Sequence, residues 1–414
     1  MAPPPMSSLL PDPIAHINTF CSYVTMLADH GSKDEIKLRA AQELSENFEA
    51  STSVPFPLKV ILSSSEYPTF LDHSMKKFLK ILQDGEPLFI GEYNIQQVRK
   101  LILEMIHRFP SNDHLRPYVK HILTLMLKLL ETDNEENALV CLRIINELHR
   151  HFRPTFNPEI QHFLNFVKTI YRELPNHLSN IFEPRPNYRV TDLSDINVDQ
   201  IITKIYSITP IYTDQTTTNG AAIHYNMIPK AVNSMKVLQE LPIIVVLMYT
   251  LYKQNVHNDV MEFIPLVMTT ITLQPSVAHR ENPLFCKEVF VDFMGAQIKT
   301  LSFLAYLNRI YKEAVAKHAT LLVKGMLGMF TLCPQEVAHL RKELLIAARH
   351  ILATDLRTNH FITMSPKVLK QAPLLRAMYR MNPQQHVALM KTADKKLVDS
   401  VCECAYNTLK GGCH

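Results

Sequence analysis

The chain has 414 residues, 47% of them hydrophobic and 20% charged, which is enough apolar material to bury a large core. Its 43 basic and 39 acidic residues are mixed along the chain, so a net charge of +4 forms no basic stripe and gives no direct indication of nucleic-acid binding. Nine glycines are fewer than sheet-rich or phosphate-cradling folds consume in turns, which favours helices joined by polar or proline turns.

Residues 1–11 lack a basic n-region and an apolar h-region, so they do not read as a secretory signal and are expected to be disordered. Asp12-Pro13 opens a helix, an acceptor side chain standing before a first-turn proline, with Ile14, Ile17, Val24 and Leu27 expected on its buried side. A second helix is predicted over 33–49, with Leu38, Ala41, Leu44 and Phe48 facing inward. From Ser53 the helices come in pairs, near 56–64, 68–83, 93–109, 114–130, 134–152 and 158–173. Their breaks fall at Pro68, Gly85-Glu86-Pro87, Pro110-Ser111-Asn112-Asp113 and Pro154.

Leu71, Met75, Phe78 and Leu82 recur at the spacing of one helix face, as do Leu115, Val119, Ile122, Met126 and Leu129. Thr132 and Glu135 have the spacing of a capping box and place a helix start there. Helix pairs of roughly 40 residues match the period of HEAT-type repeats. The pattern weakens over 175–233, where polar, breaker-rich sequence surrounds a short helix at Val198–Ile208; this reads as a surface loop or a binding loop.

Helices resume at Ser234 and continue to Leu352. The longest apolar stretch, Leu241–Tyr252, is about half of the ~20 residues a membrane span requires and reads as a buried helix. Ile298, Leu301, Leu304, Ala305 and Tyr311 line one later helix, and Val337, Leu340, Leu344, Ala348 and Ile351 line the last clear one. The fold expected is all-α: an α-solenoid of HEAT-type helical repeats over 12–174 and 234–359. A polar insert separates the two blocks, and a divergent helical tail follows over 360–414.

The sequence offers no catalytic constellation. A glycine-rich loop with H-R-D and D-F-G is absent, as are a Walker motif, H-E-x-x-H and G-x-S-x-G. The 19 histidines are scattered; His149, His151 and His162 come nearest to a cluster, but their spacing does not point them at one metal. Cys402, Cys404, Cys413 and His414 resemble half of a zinc site and lack a second well-spaced pair. Seven cysteines, an odd number and mostly far apart, imply a reducing compartment and no disulfide framework, with Cys141 a small buried hydrophobe. Lys76, Lys77 and Lys80 read as the solvated side of their own helix. No residue is assigned a catalytic, cofactor-binding or metal-binding role, and no small-molecule substrate or membrane contact is expected.

Several stretches carry a family resemblance: SEYPTFLDHSMKKFLKILQDGEP (65–87), EYNIQQVRKLILEMIHRFP (92–110) and the long run 115–175. It returns in VLQELPIIVVLMYTLYKQNVHN (237–258), AQIKTLSFLAYLNRIY (296–311) and HLRKELLIAARHILATDLRTN (339–359). These resemble the amino-terminal HEAT region of the transformation/transcription domain-associated family, the pseudokinase branch of the phosphatidylinositol-3-kinase-related kinases. The resemblance implies a non-catalytic nuclear scaffold in SAGA-type or NuA-type histone acetyltransferase complexes. Its implied partners are the subunits of those complexes and transcriptional activators. It ends at Asn359, and the sequence from about Ala372 resembles small open reading frames of mobile elements. The break suggests an alternative exon, an inserted element or a gene-model fusion. The alternative expectation is therefore a truncated product that competes with a longer scaffold or has no activity of its own.

Overall fold

The computed structural model describes residues 13–46, 61, 64–153, 158–182, 228–281, 285, 287–334 and 336–352. Among these the fold is all-α and contains no β-strand; one isolated bridge pairs Asn134 with Lys230. The helices divide into two compact units, 1–162 with 186–234 and 163–185 with 235–414.

The first unit is built from α1 (Pro13–Ala28), α2 (Asp34–Glu46), α3 (Tyr67–Asp84), α4 (Asn94–Arg108), α5 (Val119–Thr132) and α6 (Glu135–Phe152). They pack as pairs, α1 with α2, α3 with α4 and α5 with α6. Like members then stack: α1 on α3 on α5 in one layer, α2 on α4 on α6 in the other. This is the nearest-neighbour packing of a HEAT-type solenoid, in which each pair covers an apolar face its neighbour cannot bury alone.

The stripes predicted for α3 and α5 are the buried ones. Leu71, Met75, Phe78 and Leu82 are buried, as are Leu115, Val119, Ile122, Met126 and Leu129. On α1 Val24 and Leu27 are buried as expected, but the start of the helix differs: Ile14 is 60% exposed and Ile17 half-exposed, and Phe20 and Tyr23 with His16 and Thr19 complete the stripe. The aromatic rings decide the face because they bury more area than a first-turn isoleucine. Phe20 meets Phe70 edge-on with ring centres 4.8 Å apart, and Phe70 in turn lies 6.3 Å from Phe109.

The start of α6 lies where the sequence puts it, but the cap is a different residue. Asn134 Oδ1 accepts from the Asn137 amide at 3.0 Å. Thr132 ends the preceding helix and donates its hydroxyl to the Lys128 carbonyl, so the capping box is not formed. Asn takes the cap because it stands directly before the helix with extended backbone, whereas Thr132 is still inside the preceding helix. Glu135 and Glu136 in the first turn, and His149, Arg150 and His151 in the last, follow the helix dipole.

Helix α7 (Pro158–Phe182) runs through Pro175, where the sequence predicted an end and the onset of the insert. An interior proline costs about 3 kcal/mol. Burial of Leu174, Leu178 and Phe182, each worth roughly 1.5–3 kcal/mol, offsets it by continuing the stripe at i, i+4, i+8. The helix predicted at 198–208, the segment 56–60, Phe48 and the tail from 360 lie outside the described residues.

The second unit takes α7 from Phe163 and adds α8 (Met235–Met261), α9 (Phe263–Thr272), α10 (Val277–Glu281), α11 (Lys287–Ile310), α12 (Lys312–Ala316), α13 (Ala319–Leu332) and α14 (Ala338–Leu352). Here α8, α11 and α14 form one layer, while α9 packs on α13 and touches α8 and α11. Ile298, Leu301, Leu304, Ala305 and Tyr311 are buried as predicted; on α14 Leu340, Leu344, Ala348 and Ile351 are buried and Val337 is half-exposed.

By length and composition α8 could cross a membrane. In the fold it buries Val237, Leu238, Leu241, Ile244, Val245 and Met248, packs on α11, and breaks helical geometry at Lys253. The helices α13 and α9 approach so closely that a Cβ at Gly325 would stand 2.8 Å from Ile271 Cγ1 and 2.9 Å from its carbonyl oxygen.

Polar side chains close gaps in the second unit. Lys168, with a 7% exposed side chain, donates to Asp259 at 3.0 Å and Glu262 at 2.8 Å. Burial draws its ammonium pKa down, but the two carboxylates outweigh that and leave it raised. Gln297 Nε2 donates to the carbonyls of Thr270 and Leu273, satisfying the open end of α9.

Candidate docking surface

The first unit carries a cleft of about 410 Å³ lined by α1, α2, α3, α4 and the loops that leave α1 and α3. Its apolar lining comes from Leu27 and Ala28 on α1, Ile81 on α3, and Ile95 and Val98 on α4. Its charged lining is mostly basic, Lys37, Lys77, Lys80 and the Asp133-paired Arg99 against Asp84, with His30 beside them. Helical spacing explains the mixture, since Lys77, Lys80, Ile81 and Asp84 recur at i, i+3, i+4 and i+7 on one side of α3.

Lys76 and Lys80 are exposed and Lys77 is half-buried, so the cluster lies on the solvated side of α3 as expected; Lys76 pairs with Asp72 at 2.7 Å, while Lys77 and Lys80 also border the cleft. Asp72 also accepts from Tyr118, whose hydroxyl pKa is pushed up to about 12 by burial and then by that carboxylate.

Behind the cleft lies a buried polar seam that holds α3, α4 and α6 in register. Arg99, 1% exposed, donates through Nη2 to Asp133 and through Nη1 to the carbonyls of Gly85 at 2.8 Å and Leu82 at 3.3 Å. Asp133, 0% exposed, also accepts from the Asn134 amide and from Asn137 Nδ2. Asn137 exchanges two hydrogen bonds with Gln96, and Asn134 Nδ2 reaches the Leu88 carbonyl at 2.6 Å. Gly85 is required by close approach: a Cβ there would lie 2.9 Å from Arg99 Nη1.

The seam also fastens the returning segment 228–234. The amides of Ile228, Glu135 and Ala231 bond the carbonyls of Phe89, Pro229 and Asp133, and Ser234 Oγ donates to Glu135 at 2.6 Å. Sequence reasoning missed this seam. The only hint was the polar run Asp133-Asn134-Glu135-Glu136-Asn137 between two apolar helices, which reads equally well as an exposed turn.

The histidines that approach a cluster in sequence are separated in role. His149 is buried, and desolvation lowers its pKa to about 4. His151 pairs with Glu147 at 2.7 Å and His162 with Glu131 at 2.8 Å, each half-exposed. Among the described residues no group of three or more His, Cys, Asp or Glu side chains could hold a metal ion. Cys141 is buried, its thiol pushed well up first by burial and then by Asp133. Cys402, Cys404, Cys413 and His414 lie outside the described residues.

A two-layer stack of helix pairs with a charged cleft defines a HEAT-type solenoid whose surfaces suit protein contacts. Comparison with known proteins gives the family. Residues 289–382 match the model described as the Tra1 HEAT repeat central region, a stretch that continues past Asn359. The chain is 57% identical over 342 residues, 82% of its length, to transcription-associated protein 1 of Drosophila melanogaster. It is 49% identical over 360 residues, 87% of its length, to the human transformation/transcription domain-associated protein. A Saccharomyces cerevisiae relative, named as the SAGA complex/NuA4 acetyltransferase complex subunit TRA1, is 24% identical over 72% of the chain. The chain belongs to the transformation/transcription domain-associated family and carries HEAT-repeat sequence of its amino-terminal region. It spans 9% of the length of each of these relatives.

Proposed function

We propose that this chain is a non-catalytic scaffold segment of a histone acetyltransferase coactivator complex of the SAGA or NuA4 type, acting in the nucleus by docking other proteins. Its partners in this reading are subunits of that complex and transcriptional activators. No residue takes a catalytic, cofactor-binding or metal-binding part, and the reading requires no small-molecule substrate, direct nucleic-acid contact or membrane contact. What carries it is the agreement of two observations: helix pairs stacked layer on layer, and 57% identity to a transcription-associated relative over most of the chain. A solenoid of this kind offers extended surface and little enclosed chemistry.

The test is affinity purification of the tagged chain from nuclear extract, followed by peptide mass spectrometry. Recovery of acetyltransferase subunits in stoichiometric amounts is the expected result. A chain that returns alone, or only with chaperones, would overturn the scaffold reading and favour a product with no complex of its own.

A further inference from the structure

The returning segment 228–234 and the buried polar seam share one three-residue turn, Asp133-Asn134-Glu135. The segment holds the backbone of that turn. Ala231 donates its amide to the Asp133 carbonyl at 3.0 Å, and the Glu135 amide donates to the Pro229 carbonyl at 2.8 Å. These two bonds flank the antiparallel bridge between Asn134 and Lys230. Ser234 Oγ adds a bond to Glu135 Oε2, and the Ile228 amide ties the same segment to the Phe89 carbonyl. Proline suits this place, because Pro229 has no N–H and offers the turn only its carbonyl.

The side chains of the same turn serve the seam. Asp133 pairs with Arg99, and Asn134 reaches the Leu88 carbonyl through Nδ2 while Oδ1 caps α6. Arg99 in turn holds the carbonyls of Leu82 and Gly85 at the end of α3. A contact chain thus runs from the segment through the turn and Arg99 to α3. Both members of the pair are buried, and their attraction depends on the low dielectric around them. Water admitted at the turn weakens it.

We propose that residues 228–234 are a latch: the seated segment and the Arg99–Asp133 pair stabilise each other through the 133–135 turn, and release of the segment loosens the end of α3 and the start of α6 together. Arg99 also lines the cleft, so the seated latch fixes that wall whatever the cleft holds. Linkage makes the coupling reciprocal: loss of the pair must loosen the segment as loss of the segment loosens the pair. The latch is a property of the first unit alone and stands apart from the docking reading.

The test is hydrogen exchange on the full 414-residue chain, read residue by residue by mass spectrometry with electron-transfer fragmentation. Ala231→Pro removes the amide that bonds Asp133 and sets a ring carbon against that carbonyl. Its backbone cost is small, since Lys230 is extended and Ala231 opens a short 3-10 turn. Ser234→Ala is the milder variant, losing only the hydroxyl bond to Glu135. Lys230→Ala keeps every backbone bond and is the control.

In Ala231→Pro the amides of Gly85, Asn137 and Ala138 should exchange roughly tenfold faster or more, and in Ser234→Ala about threefold faster, with α1 and α2 as in the parent. Lys230→Ala should match the parent throughout. In Arg99→Met the amides of Ile228 and Ala231 should speed up in turn. Acceleration confined to 228–231 and Glu135 in the segment variants would make the segment a passive cover and overturn the latch. Unchanged exchange at Ile228 and Ala231 in Arg99→Met would break the reciprocity and overturn it as well. So would acceleration spread equally over α1 and α2, which is general loss of stability, or an equal effect of Lys230→Ala, which would assign the coupling to a side chain.

Discussion

Replacing Arg99 by Met removes the cation that pairs with Asp133 inside the first unit. The change keeps most of the methylene stem, so the lost volume is small. The lost contacts are polar: the ion pair with Asp133, the 2.8 Å bond to the Gly85 carbonyl and the 3.3 Å bond to the Leu82 carbonyl. Asp133 keeps the Asn134 amide and Asn137 Nδ2, which leaves a fully buried carboxylate with two neutral donors. Breaking a buried pair from one side costs about 3–5 kcal/mol.

Solenoids do not unfold in one step, so the loss is best read locally. Hydrogen exchange at the amides of Asn137 and Ala138 should speed up by roughly two to three and a half orders of magnitude, capped by the global stability of the unit. The double variant Arg99→Met/Asp133→Asn keeps an acceptor for the Asn134 amide while removing the orphaned charge. It should be less damaged than the sum of the two single variants, with a coupling of about 1–3 kcal/mol. A single-variant loss below about 1 kcal/mol, or strictly additive singles, would refute the claim that the seam is held by this pair.

Asn134→Ala should destabilise α6 by about 1 kcal/mol or more through the lost cap, while Thr132→Ala should change little; urea melts followed by circular dichroism separate the two, and the opposite order would restore the capping box. His149 titrates near 6.5 in the unfolded chain and at about 4 in the fold, where burial disfavours its charged form, so its contribution is complete above pH 6.5 and lost as pH falls toward 4. The fall amounts to at most about 3 kcal/mol. In His149→Gln this part of the acid limb should vanish from melts recorded between pH 7 and 4, and an equal slope in both proteins would contradict it. Gly325→Ala should cost about 1–3 kcal/mol by forcing α13 away from α9. Adding Ile271→Ala should recover only part of that, because the 2.9 Å clash with the Ile271 carbonyl remains; full recovery in thermal melts would show that the backbones are not in close approach.

Much of the architecture was legible in the sequence because a solenoid is assembled from local signals. The stripes of α3, α5, α11 and α14 lie at helical spacing, and proline and glycine breaks mark most of the turns. Where local signals compete, the sequence was less decisive. On α1 the rings of Phe20 and Tyr23 rotated the buried face away from Ile14, a choice made by what α3 offers opposite. Pro175 looked like a stop, and burial of Leu174, Leu178 and Phe182 overrode it.

The candidate site belongs to the less legible part. Lys77 and Lys80 are one helical turn apart in sequence, but only the packing of α1, α2 and α4 beside α3 gives them an apolar floor and the company of Lys37 and Arg99. Arg99 and Asp133 are 34 residues apart, and no periodicity links an arginine in one helix to an aspartate at the mouth of another. The sequence by itself determined most of the helices and the absence of a recognised catalytic motif, since these follow from apolar spacing and residue patterns along a single chain. Tertiary structure decided which polar residues are buried together and which cations surround apolar surface. Charge pairing and desolvation depend on distances across helices that spacing along one helix does not encode.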